Sequence, residues 1–135
     1  MILLDTSVLS LALRRGRASA ASEAVRERLG RLILEDVPLA IPGIVLQEVL
    51  SGVPDERQFA KLRQALQGFP VVLAQAPDHV RGAALFNTCR QHGVAATVLD
   101  CLIAALAIGR GARLWTLDQD FSLLARYAAL QLFQP

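Results

Sequence analysis

Four carboxylates, Asp5, Glu48, Asp100 and Asp118, could do chemistry in this chain of 135 residues if folding brings them to one place. Each also has an ordinary structural use. Asp5 and Asp118 suit helix N-caps, Thr97 and Asp100 have capping-box spacing, and Glu48 can simply face water. As a group they demand more. Clustered carboxylates raise one another's pKa and stay ionised only if a cation neutralises them. Oxygen donors without Cys or His partners point to Mg²⁺ or Mn²⁺ rather than Zn²⁺. Such an ion makes hydroxide available near neutral pH and offsets charge on a phosphate under in-line attack, so the chemistry these acids suit is metal-dependent phosphodiester hydrolysis.

The elements that must position them are legible in the apolar pattern. Residues 2–4 read as a buried strand, followed by a helix over 6–14 and a connection through RRGR and ASAAS to residue 22. Val25, Leu29, Leu32 and Ile33 then recur at helical spacing. PLAIP at 38–42 predicts a strand, 43–52 a helix closed by Gly52, and 54–69 a helix opened by Pro and acids. A strand at 70–74 and a helix at 77–93 follow, then a helix over 97–111, a strand at 113–116, a helix at 118–128 and a strand at 130–133. Strands alternating with helices predict a single three-layer α/β domain over residues 1–135, with a central parallel sheet of four to five strands. In such sheets ligands bind outside the carboxyl ends of the strands. Asp5 and Asp118 fall just past strand ends, and Glu48 and Asp100 lie early on helices that start near that edge.

Composition narrows the setting. The chain is 53% hydrophobic, yet charged residues interrupt every apolar run before the ~20 residues a membrane span needs. No basic segment precedes the first apolar run, so no secretory signal is expected. Cys89 and Cys101 lack metal-ligand spacing and read as free thiols, which places the protein in a reducing cytoplasm. His79 and His92 belong to a separate helix, as surface or capping residues. Of the 14 basic residues only Lys61 is lysine. Arginine is the better fork for phosphate oxygens, although GC-rich coding would also enrich it together with Ala. With four acids committed to cations, 14 basic residues face eight remaining acids, a balance that suits a polyanionic partner. Arg14, Arg15, Arg17, Arg110 and Arg113 are the candidates for phosphate contact, against the alternative that they are only solvated.

MILLDTSVL at the start, LQEVLSG at 46–52, LDCLIAALA at 99–107 and LWTLDQDFSLLA at 114–125 resemble, in order and spacing, the PIN-domain ribonucleases. The resemblance is nearest to the VapC toxins of VapBC toxin–antitoxin modules and runs over essentially the whole chain. It implies a PIN-like α/β/α fold and a Mg²⁺- or Mn²⁺-dependent endoribonuclease with Asp5, Glu48, Asp100 and Asp118 around the metal. Glu48 would orient or deprotonate the attacking water, or serve a second ion. Thr6 or Ser7 would support the first acid and Thr116 the last, with Asp120 a possible auxiliary and Phe121 a core residue. Leu106 departs from the polar residue many relatives carry there, which touches an accessory contact and not the acids. The resemblance also implies cleavage of structured RNA such as tRNA or rRNA, a VapB antitoxin that wraps the toxin, and a homodimer. The helices at 23–35, 43–51 and 54–68 either supply the antitoxin's groove or are all core.

Other strand-end acid chemistries fit less well. A phosphate receiver needs paired acids after the first strand and a lysine near the last, and a haloacid-dehalogenase-type phosphatase needs an acid where Ser7 stands. The remaining alternative is a catalytically weak protein- or RNA-binding module that keeps the PIN fold.

Overall fold

Ile2–Leu4 forms strand β1 at the centre of a five-stranded sheet, and all three residues are fully buried. The structure, a computed structural model, describes residues 1–14, 16 and 18–135. A three-residue strand can sit there only because parallel sheets are covered on both faces, so every side chain is apolar rather than every second one. The chain continues through α1 (Thr6–Leu13) and α2 (Ala20–Leu34) to β2 (Leu39–Pro42). Next come α3 (Gly43–Leu50), α4 (Glu56–Leu66), β3 (Val71–Val72), α5 (Ala76–Gln91) and α6 (Val98–Gly109). It closes with β4 (Arg113–Trp115), α7 (Asp120–Leu124) and β5 (Gln131–Leu132).

The strand order is β3-β2-β1-β4-β5, with every pair parallel. The chain therefore builds outward on one side of β1, then crosses through α5 and α6 to build on the other side. The crevice between β1 and β4 is the switch point where parallel α/β sheets bind ligands. Register sets its floor: Leu4 pairs with Trp115, and the Asp5 N–H donates to the Trp115 carbonyl at 3.0 Å.

Two helix starts differ from the sequence expectation for local polar reasons. The ASAAS stretch, expected as connection to residue 22, is already helical at Ala20, because the Ser19 and Ser22 side chains satisfy each other's backbone N–H groups in a capping box. The last helix, expected over 118–128, begins only at Asp120, since the Asp118 carboxylate takes the Asp120 N–H at 2.9 Å. After Leu124 the chain tightens, with Arg126 and Tyr127 N–H groups bonding three residues back. No helix among the described residues is long and apolar enough to cross a membrane.

Helices α5 and α6 pack closely where Gly82 meets the other backbone; a Cβ there would lie 3.5 Å from the Leu102 Cα. Their far ends are clamped by Arg110, which donates to both Asp78 oxygens at 2.8 and 3.1 Å and to the Leu73 carbonyl at 3.2 Å. Asp78 also accepts the Gln75 N–H, and the clamp sets an acid in the first turn of α5 against a base ending α6.

Two stability measurements test this account. Leu3→Ala in the central strand should cost about 2–5 kcal/mol in urea unfolding. The Arg110 hydrogen bonds hold the Asp78 carboxyl below its ordinary pKa, against a smaller opposing effect of burial. Its ionised form thus favours folding, a contribution present above the ordinary value of about 3.9 and lost as pH falls through the lowered one. Asp78→Asn should cost about 1–3 kcal/mol at pH 7, and the gap should close in acid melts.

Candidate metal centre

The site grows from the carboxyl end of β1. Asp5 holds the N-cap position of α1 and is 5% exposed, but its side chain does not cap the helix. This corrects the capping alternative for that residue. Its Oδ2 instead accepts from the Ser7 hydroxyl at 2.7 Å and the Thr116 hydroxyl at 2.8 Å. The two hydroxyls sit 3.4 Å apart, one from the first turn of α1 and one from the end of β4. Ser7 Oγ also accepts the Leu117 N–H at 2.9 Å, and Thr116 Oγ1 accepts the Asp118 N–H at 3.0 Å. A chain of hydrogen bonds thus ties the loop carrying Asp118 to the carboxylate of Asp5.

Asp100 enters from the first turn of α6. Its Oδ2 accepts the Thr97 N–H at 3.2 Å while its own N–H donates to Thr97 Oγ1 at 3.1 Å, the capping box read from the spacing. Burial nonetheless raises its pKa; the Thr97 bonds oppose that shift, and the charges of Asp118 and Asp5 add to it. Asp5, Asp100 and Asp118 therefore share one electrostatic site. Glu48 joins through α1: the Thr6 hydroxyl donates to Glu48 Oε1 at 3.0 Å, and Glu48 is half-buried rather than free in water.

Each of the four acids spends one carboxylate oxygen on a hydrogen bond, leaving the other without a partner among the described residues. These free oxygens fit a hard cation. No three acidic, His or Cys side chains among the described residues converge closely enough to ligate one ion by themselves. An oxygen-only donor set of this kind suits a hard divalent cation that keeps waters of its own. A hollow of about 670 Å³ lies at the ends of α1 and α3, and none of the four acids lines it.

The other candidates are placed as follows. Asp120 is exposed and gives its N–H to Asp118. Arg14 reaches the Ser51 carbonyl at 3.3 Å on the wall of that hollow. Arg110 spends its fork on Asp78, about 15 Å along α6 from Asp100. Arg113 starts β4 opposite Ile2 and lies over the Phe133 ring at 5.2 Å, at the strand end away from Thr116. These two arginines are not brought to the acids. Arg15 and Arg17 lie outside the described residues. Both cysteines are free and buried, and burial pushes the Cys101 thiol up to about 11. His92 ends α5, stacked on Tyr127 at 4.3 Å. The Leu117 N–H was invisible to sequence reasoning, because a backbone group leaves no residue-type signal.

Asp100 yields a pH test. Its raised folded pKa means the native state holds the proton longer than the unfolded chain, so stability falls as pH rises from the ordinary value to the raised one. With metal chelated, the wild-type Tm should drop across that interval. Asp100→Asn, which keeps an acceptor for the Thr97 N–H, should melt higher and lack the drop.

The PIN domain family model matches residues 2–127. The chain is 35% identical over 134 residues to ribonuclease VapC11 of Mycobacterium tuberculosis, an alignment covering 97% of this chain and 96% of that protein. Among solved structures, VapBC2 from Rickettsia felis bound to a promoter DNA fragment superposes with a TM-score of 0.80 at 25% identity, covering 98% of each chain. FitAcB from Neisseria gonorrhoeae superposes with a TM-score of 0.79 at 25% identity, over 100% of this chain and 98% of that one. A β3-β2-β1-β4-β5 parallel sheet, and matches spanning nearly the full length, make this chain a member of the PIN-domain family, among its VapC ribonucleases.

Proposed function

We propose that this protein is a Mg²⁺- or Mn²⁺-dependent endoribonuclease toxin that hydrolyses structured RNA of the translation machinery, tRNA or rRNA, and is neutralised by a VapB-type antitoxin. The observation that carries the reading is Asp5: a carboxylate buried at the switch point, gripped on one oxygen by Ser7 and Thr116, with the other oxygen unpartnered beside Asp100 and Asp118. Two hydroxyl donors on one oxygen fix the rotamer and leave the other oxygen free. Asp5, Asp100 and Asp118 would hold the cation, directly or through water, and Glu48 would serve the attacking water or a second ion.

A bound divalent ion supplies an acidified water and offsets charge on the scissile phosphate. The protein's own part is orientation. Thr6 keeps Glu48 turned toward α1, so that its free oxygen can align the attacking water or take its proton. Thr116 and Ser7 hold the Asp118 loop against Asp5, and Asp120 steadies Asp118 through its N–H. Hydrolysis by this route leaves a 5′-phosphate and a 3′-hydroxyl.

The partner reading is supported by the likeness to VapBC2 and to a toxin-antitoxin complex from Klebsiella pneumoniae. Toxin and antitoxin would meet in the cytoplasm, and a homodimer belongs to the same family expectation. Induced expression of the wild type should arrest growth and generate RNA ends carrying 5′-phosphate. Asp5→Asn and Asp100→Asn should each lower cleavage by about 10²-fold or more and abolish toxicity, and a chelator should stop cleavage until Mg²⁺ is restored. Toxicity equal in wild type and both variants, or products ending in 2′,3′-cyclic phosphate, would sink the metal–water mechanism.

A further inference from the structure

The hollow of about 670 Å³ at the ends of α1 and α3 is cationic in a way the proposed chemistry does not use. Its walls include Leu13 and Arg14 at the end of α1, Gly52 and Asp55 from the α3–α4 turn, and Arg57 and Lys61 on α4. Arg57 and Lys61 are four residues apart and so share a helix face. None of Arg14, Arg57 and Lys61 forms an ion pair among the described residues. The single acid in the lining, Asp55, uses Oδ1 to cap α4 through the Gln58 N–H at 2.8 Å. Three cations thus face one carboxylate, with room between them.

Arg14 is held in place rather than loose on the surface. Its guanidinium donates to the Ser51 carbonyl and lies over Gly52, where a Cβ would stand 3.6 Å from Nη2. Gly52 has φ +82°, a conformation that side-chain-bearing residues rarely adopt, so the turn keeps that approach open. Ser51 follows Glu48 by one helical turn, and Arg14 lies about 13 Å along α1 from Asp5. The hollow therefore lies to the Glu48 side of the acids, about two turns of α1 away from Asp5, a span that a few nucleotides of extended strand cover.

Resting on the nuclease reading above, we infer that this cleft is the docking channel for the RNA backbone flanking the scissile bond, with Arg14, Arg57 and Lys61 each meeting a phosphate. An acid cluster repels RNA, and anchoring cations to one side offset that repulsion while leaving the reacting phosphate free for the metal. Arginine and lysine here read charge and spacing rather than base identity. The channel sets affinity and register, and does not select sequence.

The test uses a fluorescein-labelled 16-nucleotide single-stranded RNA, with binding followed by anisotropy on the Asp5→Asn background in Mg²⁺ across a salt series. Arg57→Glu/Lys61→Glu should weaken binding by about tenfold or more and flatten the slope of log K against log[salt] by about 1.4, for two lost single-strand phosphate contacts. Arg31→Glu/Arg90→Glu, which changes net charge equally but lies outside the cleft, should leave the slope intact; thermal melts establish that both pairs fold. Equal weakening by the two pairs would reduce the effect to net charge and overturn the inference. Unchanged RNA binding in the cleft variant would also overturn it, and weakened capture of a VapB antitoxin alongside would assign the cleft to that partner. Cleavage by the otherwise wild-type protein is read separately. If it cuts RNA and the cleft variant cuts equally well at limiting substrate, the channel fails while the nuclease reading stands; if it cuts no RNA, that reading fails.

Discussion

The parallel pairing of β1 with β4 is the constraint on which the rest of this structure depends. Leu4 against Trp115, closed by the Asp5 N–H on the Trp115 carbonyl, brings residues more than a hundred positions apart into hydrogen-bond contact. Everything at the switch point is fastened to that junction. Ser7 reaches across to the Leu117 N–H, Thr116 reaches back to Asp5 and supports Asp118, and Thr6 turns the other way to Glu48. A shift of β4 by one residue would replace Thr116 at the Asp5 oxygen and leave a buried carboxylate short of a donor, at a cost of about 1–3 kcal/mol or more.

The same junction concentrates negative charge, which works against folding. Asp100 records the opposition: burial and the neighbouring charges push its pKa up even though two hydrogen bonds with Thr97 pull it down. Active sites commonly give up stability in this way. The surrounding scaffold offsets the loss with fully buried Ile2, Leu3, Leu4, Leu114 and Trp115, and with the Arg110–Asp78 clamp at the other end of α6. That clamp also commits one arginine of an Arg-rich chain to the scaffold.

Local rules and tertiary demands overlap unevenly across the four acids. Asp100 keeps its capping box and joins the site as well, and Asp118 caps the Asp120 N–H while standing beside Asp5. Asp5 abandons the cap that its position invites, because two hydroxyls from different elements offer better-placed donors. Glu48, which no local rule would hold, is held by a threonine 42 residues away.

Much of this was legible from residue order. Apolar runs of strand and helix length, with caps and glycines between them, mark the elements to within a few residues, because side-chain periodicity and backbone capping are local properties. The alternation of strands and helices was enough for a parallel sheet, and the rule that such sheets bind ligands at their carboxyl edge made Asp5, Glu48, Asp100 and Asp118 the candidates. What the amino-acid order could not decide was which oxygen meets which donor, that Arg110 and Arg113 turn to Asp78 and Phe133, or that Arg57 and Lys61 share a cleft with Arg14. Those outcomes depend on strand register and helix crossing. Both emerge only when distant segments pack, where a small displacement decides whether an arginine meets a carboxylate or lines an open cleft.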